Sequence, residues 1–129
     1  MLTKKIFVFL LSLAVTMQLA AQNMEDKYPI SILNPSGTKQ LLFYFSGDGG
    51  INNFSETLCA DLAIKNYVVI VFNSRKYFWK QKLPDFMAAQ VSEIIQYYLL
   101  KFNKKEYSLI GYSFGADAVI YLNTRIPKI

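Results

Sequence analysis

The sequence contains no histidine and a single cysteine among its 129 residues. The first absence excludes an imidazole base or a histidine metal ligand supplied by this chain. The second excludes an intramolecular disulfide framework and a zinc site built from several cysteines. Charged residues are also few, at 18%, whereas hydrophobic residues make up 53%. This composition excludes a disordered polymer and predicts one packed domain, for which we expect no metal and no cofactor.

Residues 1–21 have the pattern of a secretory signal peptide. Lys4 and Lys5 precede an apolar run that ends in the small residues Ala20 and Ala21. The run is shorter than the roughly 20 apolar residues of a membrane span. The pattern therefore predicts export, cleavage after Ala21 and no transmembrane span in the mature chain. An uncleaved membrane anchor is the alternative.

Positive charge is spread thinly over the chain, whose formal net charge is +5. No basic motif typical of nucleic-acid binding occurs, so we expect no nucleic-acid partner. One cluster is different, because Lys76 and Lys80 flank the aromatic run at 77–79. Such a cluster suits an anionic lipid head group or a membrane interface, and local packing of the aromatic rings is the alternative.

Two continuous apolar runs, at 41–45 and 67–72, predict strands that are buried on both faces, and residues 107–110 predict a short third strand. The weaker run at 28–33 predicts an additional edge strand, with Pro29 at its start. Helical patterns follow each of the first three of these strands. This alternation predicts a three-layer α/β fold with a mostly parallel sheet.

The helical patterns carry their own start and stop signals. Asn53 or Ser55 is a candidate cap for a helix that ends near Asn66, and Pro84 suits the first turn of the next helix. A third helix is predicted from about Phe114. The residues expected to face the core are Phe54, Leu58 and Leu62 in the first helix, Met87, Val91, Ile94, Tyr98 and Phe102 in the second, and Ala118, Ile120 or Tyr121, and Leu122 in the third.

The motif with specific chemistry is the G-x-S-x-G pattern at residues 111–115, which lies where the third strand meets the third helix. A serine in such a turn exposes its hydroxyl, and Gly111 and Gly115 allow the strand and the helix to approach closely. We predict that Ser113 is a nucleophile and that the backbone N–H of Phe114 donates to an oxyanion. Asp117 follows one helical turn later, either to orient this turn or as a buried, hydrogen-bonded structural residue.

A glycine-rich loop, residues 46–50, directly follows the first strong strand. In an α/β-hydrolase arrangement this loop supplies the second oxyanion donor. The backbone N–H of Asp48 is the candidate. A flexible connection without a catalytic role is the alternative.

Three blocks together carry a family resemblance: residues 45–50, residues 73–79 and residues 110–117. In this order and spacing they resemble the bacterial virulence protein VirJ family, with the related AcvB proteins, over roughly Leu41 to Pro127 and within a predicted domain of residues 28–129. The resemblance implies an α/β-hydrolase fold, a periplasmic location, a link to virulence and type IV secretion, and ester hydrolysis, with aminoacylated phospholipid as one substrate class. The sequence departs from the family pattern at Ile51, where Trp is common, and at Asn73, where Asp is common.

The partners of a catalytic serine do not appear after the motif. In α/β-hydrolases an acid and then a histidine follow the serine along the chain, but after Ser113 the sequence has only the acid Asp117 and no histidine. We therefore expect the N-terminal part of a hydrolase domain, truncated after the third helix and inactive alone. A Ser–Lys arrangement with Lys128 is an alternative. A non-catalytic binding or scaffold module for secretion-system proteins is another, and a downstream Asp and His in the reading frame would favour the enzyme.

Overall fold

The computed structural model describes residues 2–4 and 23–127, so most of the predicted signal peptide lies outside the described residues. The described residues fold into a four-stranded sheet with helices on both faces. In chain order the elements are α1 (Met24–Lys27), β1 (Ile30–Leu33), β2 (Leu41–Phe45), α2 (Asn53–Ile64), β3 (Val68–Phe72), α3 (Ser74–Tyr77), α4 (Pro84–Lys101), β4 (Tyr107–Gly111) and α5 (Phe114–Asn123). In this part of the chain, no helix is long and apolar enough to cross a membrane.

The strand order is β1-β3-β2-β4, so that β2 and β3 lie in the centre. β2 runs parallel to β3, with Leu41 opposite Val68, and parallel to β4, with Leu41 opposite Tyr107. β1 pairs with β3 in the antiparallel direction. The predicted α/β class and mostly parallel sheet are confirmed. Because parallel strands share one carboxyl edge, the loops after β2, β3 and β4 all emerge at the same edge of the sheet.

The main core lies between one sheet face and α4. Every residue of β2 and of β3 is buried, as the continuous apolar runs predict. The face that α4 turns to the sheet carries four of the predicted core residues, and the fifth, Phe102, is half-buried at the end of the helix. The buried four are Met87, Val91, Ile94 and Tyr98.

The opposite face of the sheet is covered by a smaller cluster under α2. Tyr44, Val69 and Val71 pack there with Cys59. The predicted cap was wrong, because the side chain of Asn52 accepts the hydrogen bond from the Ser55 amide at 3.0 Å. The face of α2 that meets the sheet is centred on Ser55 and Cys59, and Phe54 is exposed instead of buried.

No helix was predicted between β3 and Pro84, but residues 74–77 form the short helix α3, which the side chain of Asn73 caps by accepting from the Lys76 amide at 3.1 Å. On α5, Leu122 and Ala118 are buried as predicted, and of the two alternatives Tyr121 packs against the core whereas Ile120 is 68% exposed. Ile120 faces outward because it lies about half a turn away from both buried residues.

Candidate active site

Ser113 occupies a sharp turn between the end of β4 and the first residue of α5. Its backbone has φ 54° and ψ −123°, a conformation that residues other than glycine rarely adopt. Holding a serine there costs of order 1–3 kcal/mol, which the surrounding packing must supply. The side chain is exposed. The geometry matches the strained strand-to-helix turn that presents a nucleophilic hydroxyl.

The two glycines of the motif are required by close backbone contacts. A Cβ atom at Gly111 would collide with the carbonyl oxygen of Gly115 and lie 2.5 Å from the Cα atom of Ala116. A Cβ atom at Gly115 would collide with the carbonyl oxygen of Phe45. The helix therefore starts directly against the ends of β2 and β4, as the spacing of the motif predicts.

The glycine-rich loop after β2 lies beside the serine. A Cβ atom built on Gly47 would be 3.3 Å from Cβ of Ser113. The loop closes as a tight turn, in which the amide of Gly50 donates to the carbonyl of Gly47 at 3.0 Å and Gly50 has φ 79°. Asp48 lies at the exposed tip of this turn.

A cavity of about 330 Å³ adjoins the serine turn. It is lined by Asp48, Ser74, Arg75, Phe78, Trp79 and Phe114. Thus both predicted oxyanion donors, Asp48 and Phe114, border one space. Neither of their backbone amides donates a hydrogen bond to another residue within 23–127. An unpaired N–H at the start of a helix is a ready donor to a negative charge.

Ser46 forms hydrogen bonds between the carboxyl ends of β2 and β3, and the sequence analysis did not predict this role. Its buried hydroxyl oxygen accepts the hydrogen bond from the amide of Ser74 at 2.9 Å, and its own amide donates to the carbonyl of Phe72 at 3.1 Å. Ser46 thus connects the ends of β2 and β3. A polar residue immediately after a wholly apolar strand was the available signal.

Asp117 does not have the structural role that was the main alternative for it. The residue is exposed, and its carboxylate forms no ion pair or hydrogen bond with another described residue. The expectation of a buried, hydrogen-bonded Asp is wrong because position 117 falls on the outward side of α5, between the buried positions 115 and 118. Lys128, the alternative base, lies outside the described residues.

In the aromatic run at 77–79, the first two rings pack against other residues and the third is exposed. Tyr77 is buried against Phe72, with ring centroids 4.7 Å apart. Phe78 meets Phe114 edge-on at 5.2 Å, which connects α3 to the start of α5. Trp79 is 77% exposed. Local packing, one of the two alternatives, therefore holds for Tyr77 and Phe78, and contact of the run with lipid stays a prediction.

A family model of the bacterial virulence protein VirJ matches residues 39–128, which include the serine turn and the glycine-rich loop. The chain belongs to the VirJ family. No curated protein matches the sequence significantly. The VirJ match covers the whole parallel part of the sheet.

The fold of this VirJ-family chain is similar to that of the NocB thioesterase domain from the nocardicin cluster. Two structures of that domain align with TM-scores of 0.56 and 0.55 at 18% identity, over 75% of this chain. One of them is a covalent complex with a fluorophosphonate nocardicin G analog. The alignment covers 42% and 43% of the thioesterase chains, so this chain spans less than half of their length. These likenesses establish a hydrolase-type α/β fold.

Proposed function

We propose that this chain supplies the nucleophile and the oxyanion donors of a serine ester hydrolase. The observation that carries the proposal is the backbone conformation of Ser113, whose φ is 54°. Close backbone contacts at Gly111 and Gly115 hold this turn between β4 and α5. In the reaction, the Ser113 hydroxyl oxygen attacks the ester carbonyl carbon and loses its proton to a base. The amides of Asp48 and Phe114 stabilise the negative charge that develops on the carbonyl oxygen.

The general base is supplied from outside these 129 residues. Serine is a weak nucleophile until a base removes its proton, and general-base catalysis contributes about 10²–10⁴-fold. The sequence has no histidine to do so. Alone, the chain therefore presents a nucleophile that is positioned but not activated.

Labelling with a fluorophosphonate probe tests the proposal. For the 129-residue chain we expect no detectable labelling in buffer, and labelling of Ser113 when imidazole is added at high concentration to replace the missing base. The label should disappear in Ser113→Ala and persist in the matched variant Ser108→Ala, which changes a serine on β4. Fast labelling without imidazole would show that a base exists within the chain. Absence of labelling under both conditions would favour the non-catalytic binding or scaffold module.

We propose aminoacylated phospholipid in the periplasm as the substrate, and a role in virulence through type IV secretion. The family resemblance supports these assignments, and the basic, apolar start of the sequence supports export. Intact mass of the protein recovered from a periplasmic fraction tests the location. We expect the mass of a chain that begins at Gln22. A cytoplasmic product that retains Met1 would contradict the proposed location.

A further inference from the structure

The segment from Lys76 to Phe86, which we call the interfacial segment, exposes large apolar side chains beside three lysines and one acid, Asp85, whose carboxylate lies 3.8 Å from Nε of Arg125. Three large apolar residues in it are well exposed: Trp79 at 77%, Leu83 at 75% and Phe86 at 55%. Soluble proteins rarely group such residues on their surface without a partner. Lys76 and Lys80 are exposed within the same segment.

A basic hollow of about 390 Å³ lies beside the interfacial segment. Its lining includes four lysines and, among the described residues, no acid: the charged members are Lys27, Lys76, Lys80 and Lys82. The Lys82 ammonium lies 4.5 Å from the ring centroid of Tyr77, which helps to hold its charge at the hollow. Lys27 is 3.8 Å from Glu93, an exposed and therefore weak pair. The hollow thus has a net positive charge.

The lysines of the hollow suit a phosphate ligand. Their ammonium groups are hydrogen-bond donors to phosphate oxygens, and their charges compensate the charge of the phosphate.

From these observations we propose that the interfacial segment and the basic hollow dock the protein on an anionic phospholipid bilayer. Trp79 and Leu83 enter the head-group region, while the lysines meet the lipid phosphates. Trp79 also lines the cavity beside Ser113, so docking by this surface places the serine turn near the membrane. The proposal does not depend on the proposed hydrolysis, because it concerns binding alone.

Trp79 is the sole tryptophan of the chain, so its fluorescence reports on this segment specifically. The full chain is titrated with vesicles of phosphatidylcholine alone and of phosphatidylcholine with phosphatidylglycerol. We expect a blue shift of the emission with the anionic vesicles only, and loss of the shift as salt is added. Ser113→Ala should give the same shift, which separates docking from catalysis. Binding without a change in Trp79 emission would overturn the proposal, as would a shift produced by duplex DNA but not by anionic vesicles.

Substitution of paired lysines provides a matched control. Lys76→Gln with Lys80→Gln should weaken vesicle binding by more than tenfold, because each lysine near an anionic surface contributes about fivefold. Lys65→Gln with Lys105→Gln makes the same charge change at the opposite edge of the sheet, where α2 ends and β4 begins. This control should bind almost as the parent does. Both variants keep the same N-terminal segment, so any contribution of that segment to vesicle binding cancels when the two are compared. Equal weakening by the two pairs would overturn the proposal.

Discussion

Gly115 lies directly against the carbonyl oxygen of Phe45, the last residue of β2, so that α5 begins in contact with the centre of the sheet. This contact fixes where the serine turn can be. A Cβ atom at position 115 would also be 2.5 Å from the carbonyl oxygen of Ser46. The neighbours are backbone atoms, which cannot move aside cheaply.

Gly115→Ala is therefore expected to destabilise the fold by about 3 kcal/mol or more, at the upper end of overpacking effects. Urea unfolding followed by circular dichroism measures the change. Gly49→Ala is the matched control, because no heavy atom lies within 4 Å of a Cβ atom built there. The control should change stability by less than about 1 kcal/mol. Similar stabilities for the two variants would contradict the close contact at Gly115.

Ser46→Ala is expected to lower the free energy of unfolding by about 1–3 kcal/mol, because it leaves the buried amide of Ser74 without its acceptor. Ser36→Ala, at an exposed position in the turn before β2, provides the control and should stay within about 0.5 kcal/mol of the parent. Chemical unfolding of both variants gives the comparison. Equal changes in the free energy of unfolding would show that the Ser46 hydroxyl does not stabilise this edge of the sheet.

β4 is an edge strand among the described residues and pairs with β2 alone. Beside it lies an open cleft of about 630 Å³, with the exposed Ile120 on one wall. An apolar strand edge invites pairing with another chain, so we expect the 129-residue chain to self-associate and to unfold over a broad temperature range. Ile120→Lys should reduce the association measured by light scattering.

Ile64→Lys is the control for that prediction, since Ile64 is 83% exposed on α2 and away from β4. It should leave the association unchanged. A parent chain that is monomeric and melts sharply would contradict the prediction that the β4 edge is unsatisfied.

Burial raises the pKa of the Cys59 thiol from 9.0 to about 11. Between pH about 9 and about 11 the thiol loses its proton in the unfolded state but keeps it in the folded state, so ionisation favours unfolding. The stability contributed by this group is complete below pH about 9 and decreases as the pH approaches about 11. Urea unfolding across this range should show a smaller decrease for Cys59→Ala than for the parent. Identical pH dependence in the two proteins would contradict the raised pKa.

Local sequence patterns were sufficient for the strands and for the serine turn. The run at 41–45 was predicted with its observed bounds, because an uninterrupted apolar run bounded by turn residues has few alternatives to a buried strand. Asn66, at φ 76°, ends α2 as expected, since asparagine tolerates that conformation. The patterns were less informative for α2, because packing on the sheet buried Ser55 and Cys59 and left Phe54 exposed.

The sequence by itself determined the α/β class, the order of the strands and the three longer helices, and the position of Ser113 at a strand-to-helix junction, because apolar periodicity and glycine placement act over a few neighbouring residues. Only the tertiary structure decided that β2 lies between β3 and β4, that Ser46 connects two strand ends, and that Trp79 lines both the cavity at Phe114 and the hollow with four lysines. These relations join residues that are far apart in the chain. They depend on how strands pair and helices pack, and no local pattern records that pairing.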